Sequence, residues 1–198
     1  NKNLVKEVSL AGEILSFANG NGVNIIYPDD YKCVNEFKAP TFFIKTEPDF
    51  DKEIQLDLGP KTIENLRNII LSGEIKSVFW NGPLGAYDHP TNHNYAEGSL
   101  ELAKLLFAEA LTNENFSVVI GGGDSAAILN KIDANNLKAF ISQCIEKQLA
   151  KPINHELIRM ELPVDDCYLL WNYLSTNFFV STGGGASLEF LEKFLKGK

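Results

Sequence analysis

The chain has 198 residues, 44% of them hydrophobic and 22% charged, the make-up of one ordinary globular domain. A formal net charge of −8 without any run of lysine or arginine argues against nucleic acid and anionic membrane surfaces as partners. No apolar run approaches the roughly 18–20 residues of a membrane span, and the first residues lack a signal peptide's apolar stretch. Cys33, Cys144 and Cys167 form no C-x-x-C pair, so the expectation is a cytoplasmic protein with neither a disulfide framework nor a zinc site.

Apolar residues at Leu4, Val5, Val8, Ala11, Leu15 and Ala18 recur at helical spacing, and Asn19-Gly20-Asn21-Gly22 ends that helix. Val23 to Tyr27 reads as a buried strand stopped by Pro28-Asp29-Asp30. A helix running into a strand is half of an α/β unit, so the chain is expected to begin in mid-motif. Tyr31 to Asp57 is less regular, with short strands over Phe42–Ile44 and Ile54–Leu56. Pro60 suits the first position of a helix continuing to Leu71.

Ser77–Trp80 reads as a strand and Asn81-Gly82-Pro83 as a turn. A helix over Tyr95–Leu111 carries the stripe Leu102, Leu105, Leu106 and Ala110. Phe116–Ile120 is a strand, followed by a glycine loop and a helix. Phe178–Val180 is the last strand, and Gly183-Gly184-Gly185 leads into a helix over Ala186–Leu195. Strands alternating with helices predict an α/β fold, with a parallel sheet covered on both faces. The stretch Asn135–Asn177 exceeds what a crossover needs and reads as a helical insertion within one domain spanning 1–198.

Three glycine-bearing loops stand at predicted strand ends, where ligands of such folds sit. In Gly121-Gly122-Gly123-Asp124-Ser125-Ala126, missing Cβ atoms let backbone approach an anion, and the following helix start points N–H groups at it. The loose match to G-x-G-x-x-A is a weak dinucleotide signal, and Asp124 opposes it, because a carboxylate repels a pyrophosphate unless a divalent cation lies between. Asp124 therefore suits a metal that arrives with a nucleotide; the alternative is a simple helix cap. An oxidoreductase would want an acidic ribose partner about 20 residues on; Glu146 is near that distance but lies in the insertion.

Ser181-Thr182-Gly183-Gly184-Gly185-Ala186-Ser187 repeats the strand–glycine–helix pattern. Two such starts could together face the charge spread over a phosphoryl group in transit; a tight turn is the alternative for each, and the occurrence of two in one domain favours phosphate. Trp80-Asn81-Gly82-Pro83-Leu84-Gly85-Ala86-Tyr87-Asp88 reads as a rigid loop in which Asn81 could meet phosphate and Asp88 a ribose hydroxyl. His89 and His93 have a metal-helix spacing, but Pro90, Asn92 and Asn94 break the helix. No Walker pattern is present.

"VFWNGPLGAYD", "VIGGGDSAAI" and "VSTGGGASLEFLE", with "LDLGPKTIENL" upstream, resemble signature segments of the phosphoglycerate kinase family, in the family's order. The resemblance implies a three-layer, Rossmann-like nucleotide-binding domain. It also implies Mg²⁺-dependent, reversible phosphoryl transfer between ATP and the carboxylate of 3-phosphoglycerate in glycolysis. By that likeness Leu56 lines the adenine pocket, with Pro83 and Gly85 in the same nucleotide-binding set. Asp88 faces the ribose, Asn81 and Ser125 contact phosphates, and Gly121, Gly122 and Gly123 let the chain pass close to the nucleotide. Asp124 holds Mg²⁺ with ATP or ADP, and Gly183, Gly184 and Gly185 face the phosphoryl group.

The chain departs from the family at Gln55, where glycine is usual, at Asp88, where glutamate is usual, and in the insertion. It resembles only the nucleotide half. Phosphoglycerate is expected to bind through an amino-terminal domain outside this chain, the full-length enzyme to be a monomer, and the fragment to be inactive alone. The alternative is a non-catalytic nucleotide-sensing or protein-interaction module.

Overall fold

A computed structural model describes residues 2–90, 93–113, 115–129, 131, 177–186 and 188–189. All of the proposed insertion except Asn177, and most of the final helix, lie outside the described residues. Helix α1, Lys2–Gly20, matches the expected periodicity. It closes where the amides of Asn21 and Val23 donate to the carbonyl of Ala18 and Gly22 takes φ +68°. Of its apolar residues Ala18 is buried, whereas Val5, Val8, Leu10, Ile14 and Phe17 are exposed.

Val23–Tyr27 is not a strand. Val23, Ile26 and Tyr27 are exposed, and no described strand runs beside them to complete a hydrogen-bond ladder. The less regular segment from Tyr31 forms an antiparallel sheet in the order β2-β1-β3, in which the two expected short strands are joined by an unexpected one, β1. Its strands are β1 (Tyr31–Val34), β2 (Phe43–Lys45) and β3 (Ile54–Leu58). The ladder shifts between Lys32 and Cys33. Such an irregularity obscures the alternation that marks a strand in sequence.

Helix α2, Pro60–Leu71, starts on the proline as expected. Its first amides are capped from a distance: the Asp30 carboxylate accepts from Lys61 N–H at 3.1 Å and from Thr62 N–H at 2.8 Å. A Cβ on Gly59 would stand 2.2 Å from the Asp30 Cγ, so glycine leaves the room that this carboxylate fills.

The second sheet is parallel, in the order β4-β5-β6, with strands β4 (Ser77–Asn81), β5 (Ser117–Gly121) and β6 (Phe178–Ser181). Helix α3, Glu97–Thr112, follows a 3-10 turn over His93–Ala96 and crosses from β4 to β5; α4, Gly123–Leu129, follows β5. One sheet face carries Trp80, Val118, Ile120, Phe178 and Val180 against Leu105, Leu106, Phe107 and Ala110 of α3 and Ile128 and Leu129 of α4. On the other face Phe79 and Phe179 flank Val119 in register and are exposed. No described helix is long and apolar enough to cross a membrane.

Candidate functional site

Parallel register aligns the three strand ends: Asn81 pairs with Gly121, and Gly121 with Ser181. The three loops that leave them therefore start from one row. The amide of Gly122 donates to the Ser181 carbonyl at 2.9 Å. Gly122 holds φ +101°, a conformation that favours glycine. Cβ atoms built on Gly122 and Gly184 would stand 2.9 Å and 2.7 Å from Asn81 Oδ1. The Asn81 side chain thus lies against both glycines, which have no side chains to exclude it. Gly183 N–H donates to Ser181 Oγ at 3.2 Å. Gly123 and Gly185 are exposed, with nothing within 4 Å of a Cβ placed there.

Ser125 is fully buried, and its Oγ accepts the Gly82 N–H at 2.8 Å. It ties the loop after β4 to the loop after β5 and faces away from solvent. Gly82, also at positive φ (+101°), sends its carbonyl to the Trp80 indole N–H at 2.6 Å.

Asp124 is exposed at the start of α4, and its Oδ1 accepts the Tyr87 hydroxyl at 3.0 Å. It accepts no main-chain amide among the described residues, so the capping alternative is not what the side chain does. That same hydrogen bond, ahead of desolvation, raises the Tyr87 pKa above its ordinary value. The Lys131 ammonium donates to the Tyr87 carbonyl and stands 5.0 Å from the centre of its ring.

The described residues hold no cluster of three or more His, Cys, Asp or Glu able to cage a metal. A single exposed carboxylate beside amide-rich turns suits instead a hard cation that keeps water and draws its other ligands from a bound phosphate.

Leu56, Pro83 and Gly85 line an open cleft of about 300 Å³, together with Gln55 and Asp57. The Ala86 amide donates to the Leu56 carbonyl at 2.7 Å and the Leu84 amide to Ser99 Oγ at 2.9 Å, which fixes the loop after β4 above β3. The Gln55 amide nitrogen donates to the Glu53 carbonyl at 2.5 Å, along its own strand. Asp88 is exposed, is not among the residues lining the cleft, and makes no hydrogen bond to a described residue.

Beneath the cleft lies a buried ionic group. Asp57 accepts from Leu58 N–H at 2.9 Å and Gly98 N–H at 3.0 Å, and lies 3.5 Å from the equally buried Lys32 ammonium, which also pairs with Glu97. Burial outweighs these favourable partners and pushes the Asp57 pKa up to about 6. His89 is a packing residue: it is buried, its ring lies tilted against Phe37 and edge-on to Tyr95, and it is bonded to the Phe37 carbonyl.

Of the residues singled out in the sequence, the structure brings Asn81, Gly121, Gly122, Gly184 and Ser125 to one place, and Leu56, Pro83 and Gly85 to another; sequence reasoning did not sort them so. It missed Tyr87, Lys131 and Asp57. A tyrosine next to the residue assigned to ribose was the available signal for the first; the other two depend on contacts between distant segments.

The family model described as Phosphoglycerate kinase matches residues 1–145. A relative from Plasmodium falciparum, named phosphoglycerate kinase, is 32% identical over 186 residues, covering 92% of this chain and 34% of its own. One of the same name from Dictyoglomus turgidum is 34% identical over 196 residues, covering 96% and 37%. The chain therefore spans about a third of the length of the curated relatives it matches. A solved structure of phosphoglycerate kinase from Coxiella burnetii shares the fold, with a TM-score of 0.51 at 22% identity over 68% of this chain and 32% of that one. The order of the motifs, the aligned strand ends and these likenesses agree: the chain belongs to the phosphoglycerate kinase family.

Proposed function

We propose that this chain is the nucleotide-binding part of a glycolytic phosphoglycerate kinase, serving Mg²⁺-dependent transfer between ATP and the carboxylate of 3-phosphoglycerate. The observation that carries the reading is the meeting of Asn81, Gly122 and Gly184 at one sheet edge, with the exposed Asp124 carboxylate beside it. Backbone amides at two open helix starts would receive phosphate oxygens, and the Asn81 amide would donate to them. Ser125 would act through the Gly82 amide it holds rather than by direct contact. The base would lie in the cleft against Leu56, Pro83 and Gly85, with Gln55 at its wall.

Asp124 would hold Mg²⁺; when bound, the ion neutralises developing charge on the phosphates. Pre-arranged donors contribute most where charge develops in the transition state; at the Gly183-Gly184-Gly185 turn Gly184 and Gly185 would supply them, the Gly183 amide being bonded to Ser181 Oγ. In-line transfer also requires an acceptor held in position. Among the described residues Arg67 is engaged with Glu64 and Glu101 on the outer helices, and Lys131 is held at Tyr87. No described arginine forms an acceptor clamp at the three-loop edge. We expect the 198-residue chain alone to bind MgADP without turning over.

Calorimetric titration with MgADP and a coupled assay with 3-phosphoglycerate and MgATP test both halves. Binding without turnover supports the proposal. Absence of nucleotide binding by the folded chain would overturn it and favour a protein-interaction module.

A further inference from the structure

We infer that Tyr87 is a positioning residue for the Asp124 carboxylate, holding it toward the metal and keeping the Lys131 cation away from it; this rests on the metal-nucleotide reading above. Asp124 follows three glycines, none of which has a side chain to orient it. Its only hydrogen bond to a described residue comes from across the site, from the Tyr87 hydroxyl at 3.0 Å. That bond occupies Oδ1 and restricts the carboxylate's rotation, leaving Oδ2 for a cation. Ordering a ligand before binding reduces the ordering cost of binding.

The second part follows from Lys131. This lysine lies just past the end of the helix that Asp124 begins. A free ammonium there would be drawn to the exposed carboxylate, and an ion pair would compete with the metal. Instead the ammonium donates to the Tyr87 carbonyl and lies over the Tyr87 ring, and no Lys131–Asp124 ion pair forms. One residue thus engages the cation with its ring and its main-chain carbonyl, and the anion with its hydroxyl.

The test compares ADP in EDTA with MgADP by calorimetry, on the 198-residue chain and on Tyr87→Phe, Tyr87→Ala and Tyr87→Ala/Lys131→Met. Phenylalanine keeps the ring over which Lys131 lies and removes only the hydroxyl. The affinity gained on adding Mg²⁺ should fall about 3- to 10-fold in Tyr87→Phe, the scale of one ordinary hydrogen bond in water. Metal-free ADP affinity and melting temperature should hold, whereas a merely structural role would lower both. Tyr87→Ala should lose more, and adding Lys131→Met should recover part of that loss.

If the Mg²⁺ gain is present in the parent, is lost in Asp124→Ala and persists unchanged in Tyr87→Phe, the positioning role is wrong and the metal reading stands. If the parent shows no Mg²⁺ gain, the metal reading falls and this role with it.

Discussion

Gly184 meets Gly122 backbone to backbone: a Cβ on Gly184 would stand 2.7 Å from the Gly122 Cα and 2.9 Å from its amide nitrogen. Neither atom belongs to a flexible side chain that could turn aside. Gly184→Ala should therefore force the second and third loops apart, costing about 1–3 kcal/mol of stability. It should also weaken MgADP binding at least tenfold. Gly185→Ala is the control, since the space there is open; its stability should stay within about 0.5 kcal/mol of the parent. Denaturant melts and calorimetry on the two variants read the difference.

Ser125→Ala removes the acceptor for the Gly82 N–H. A part-buried donor left without its partner costs on the order of 1–2 kcal/mol. Because the serine joins two loops, nucleotide affinity should fall together with melting temperature. A loss of affinity at unchanged stability would mean that Ser125 contacts the ligand directly.

Asp124→Asn should leave stability nearly untouched, because the side chain is exposed. It should abolish most of the Mg²⁺-dependent gain in ADP affinity while sparing ADP alone. Titrations with and without EDTA check this.

Asp57 predicts a pH dependence of a particular sign. Its pKa rises from 3.8 to about 6 in the fold, mainly through burial. The folded state therefore holds the proton more tightly than the unfolded one. The stability this contributes is fully present below about pH 4 and is lost as pH rises through about 6. A rise of about two units corresponds to roughly 3 kcal/mol at most. Asp57→Asn should remove this slope, so the parent-minus-variant difference should drift against the parent between pH 4 and 7. The variant should also be less stable overall, because Lys32 stays buried and loses the Asp57 carboxylate. Urea melts across that range measure both effects.

The parallel half of the fold was legible because Ser77–Trp80, Phe116–Ile120 and Phe178–Val180 are short apolar runs bounded by glycine. Their burial on the packed face matches the pattern. In the antiparallel sheet β2 and β3 fall close to the short strands expected over Phe42–Ile44 and Ile54–Leu56, whereas β1 and the pairing were not legible: Lys32 and Asp57 are charged, buried and cross-strand partners, which erases the alternation by which a strand is read. Val23–Tyr27 failed in the opposite way, since its composition is that of a strand but no described neighbour completes it. At the site, glycines announced where backbones meet. The Tyr87–Asp124 bond spans 37 positions, and nothing local foretold it.

The single amide of Ala86, donated to the Leu56 carbonyl, has a mechanical consequence. It couples the wall that would carry a base to the segment whose other end, at Gly82, is pinned through Ser125 to the turn that would face phosphate. If the nucleotide reading holds, base recognition and phosphate geometry would be set through one short segment, Gly82 to Ala86, anchored at both ends.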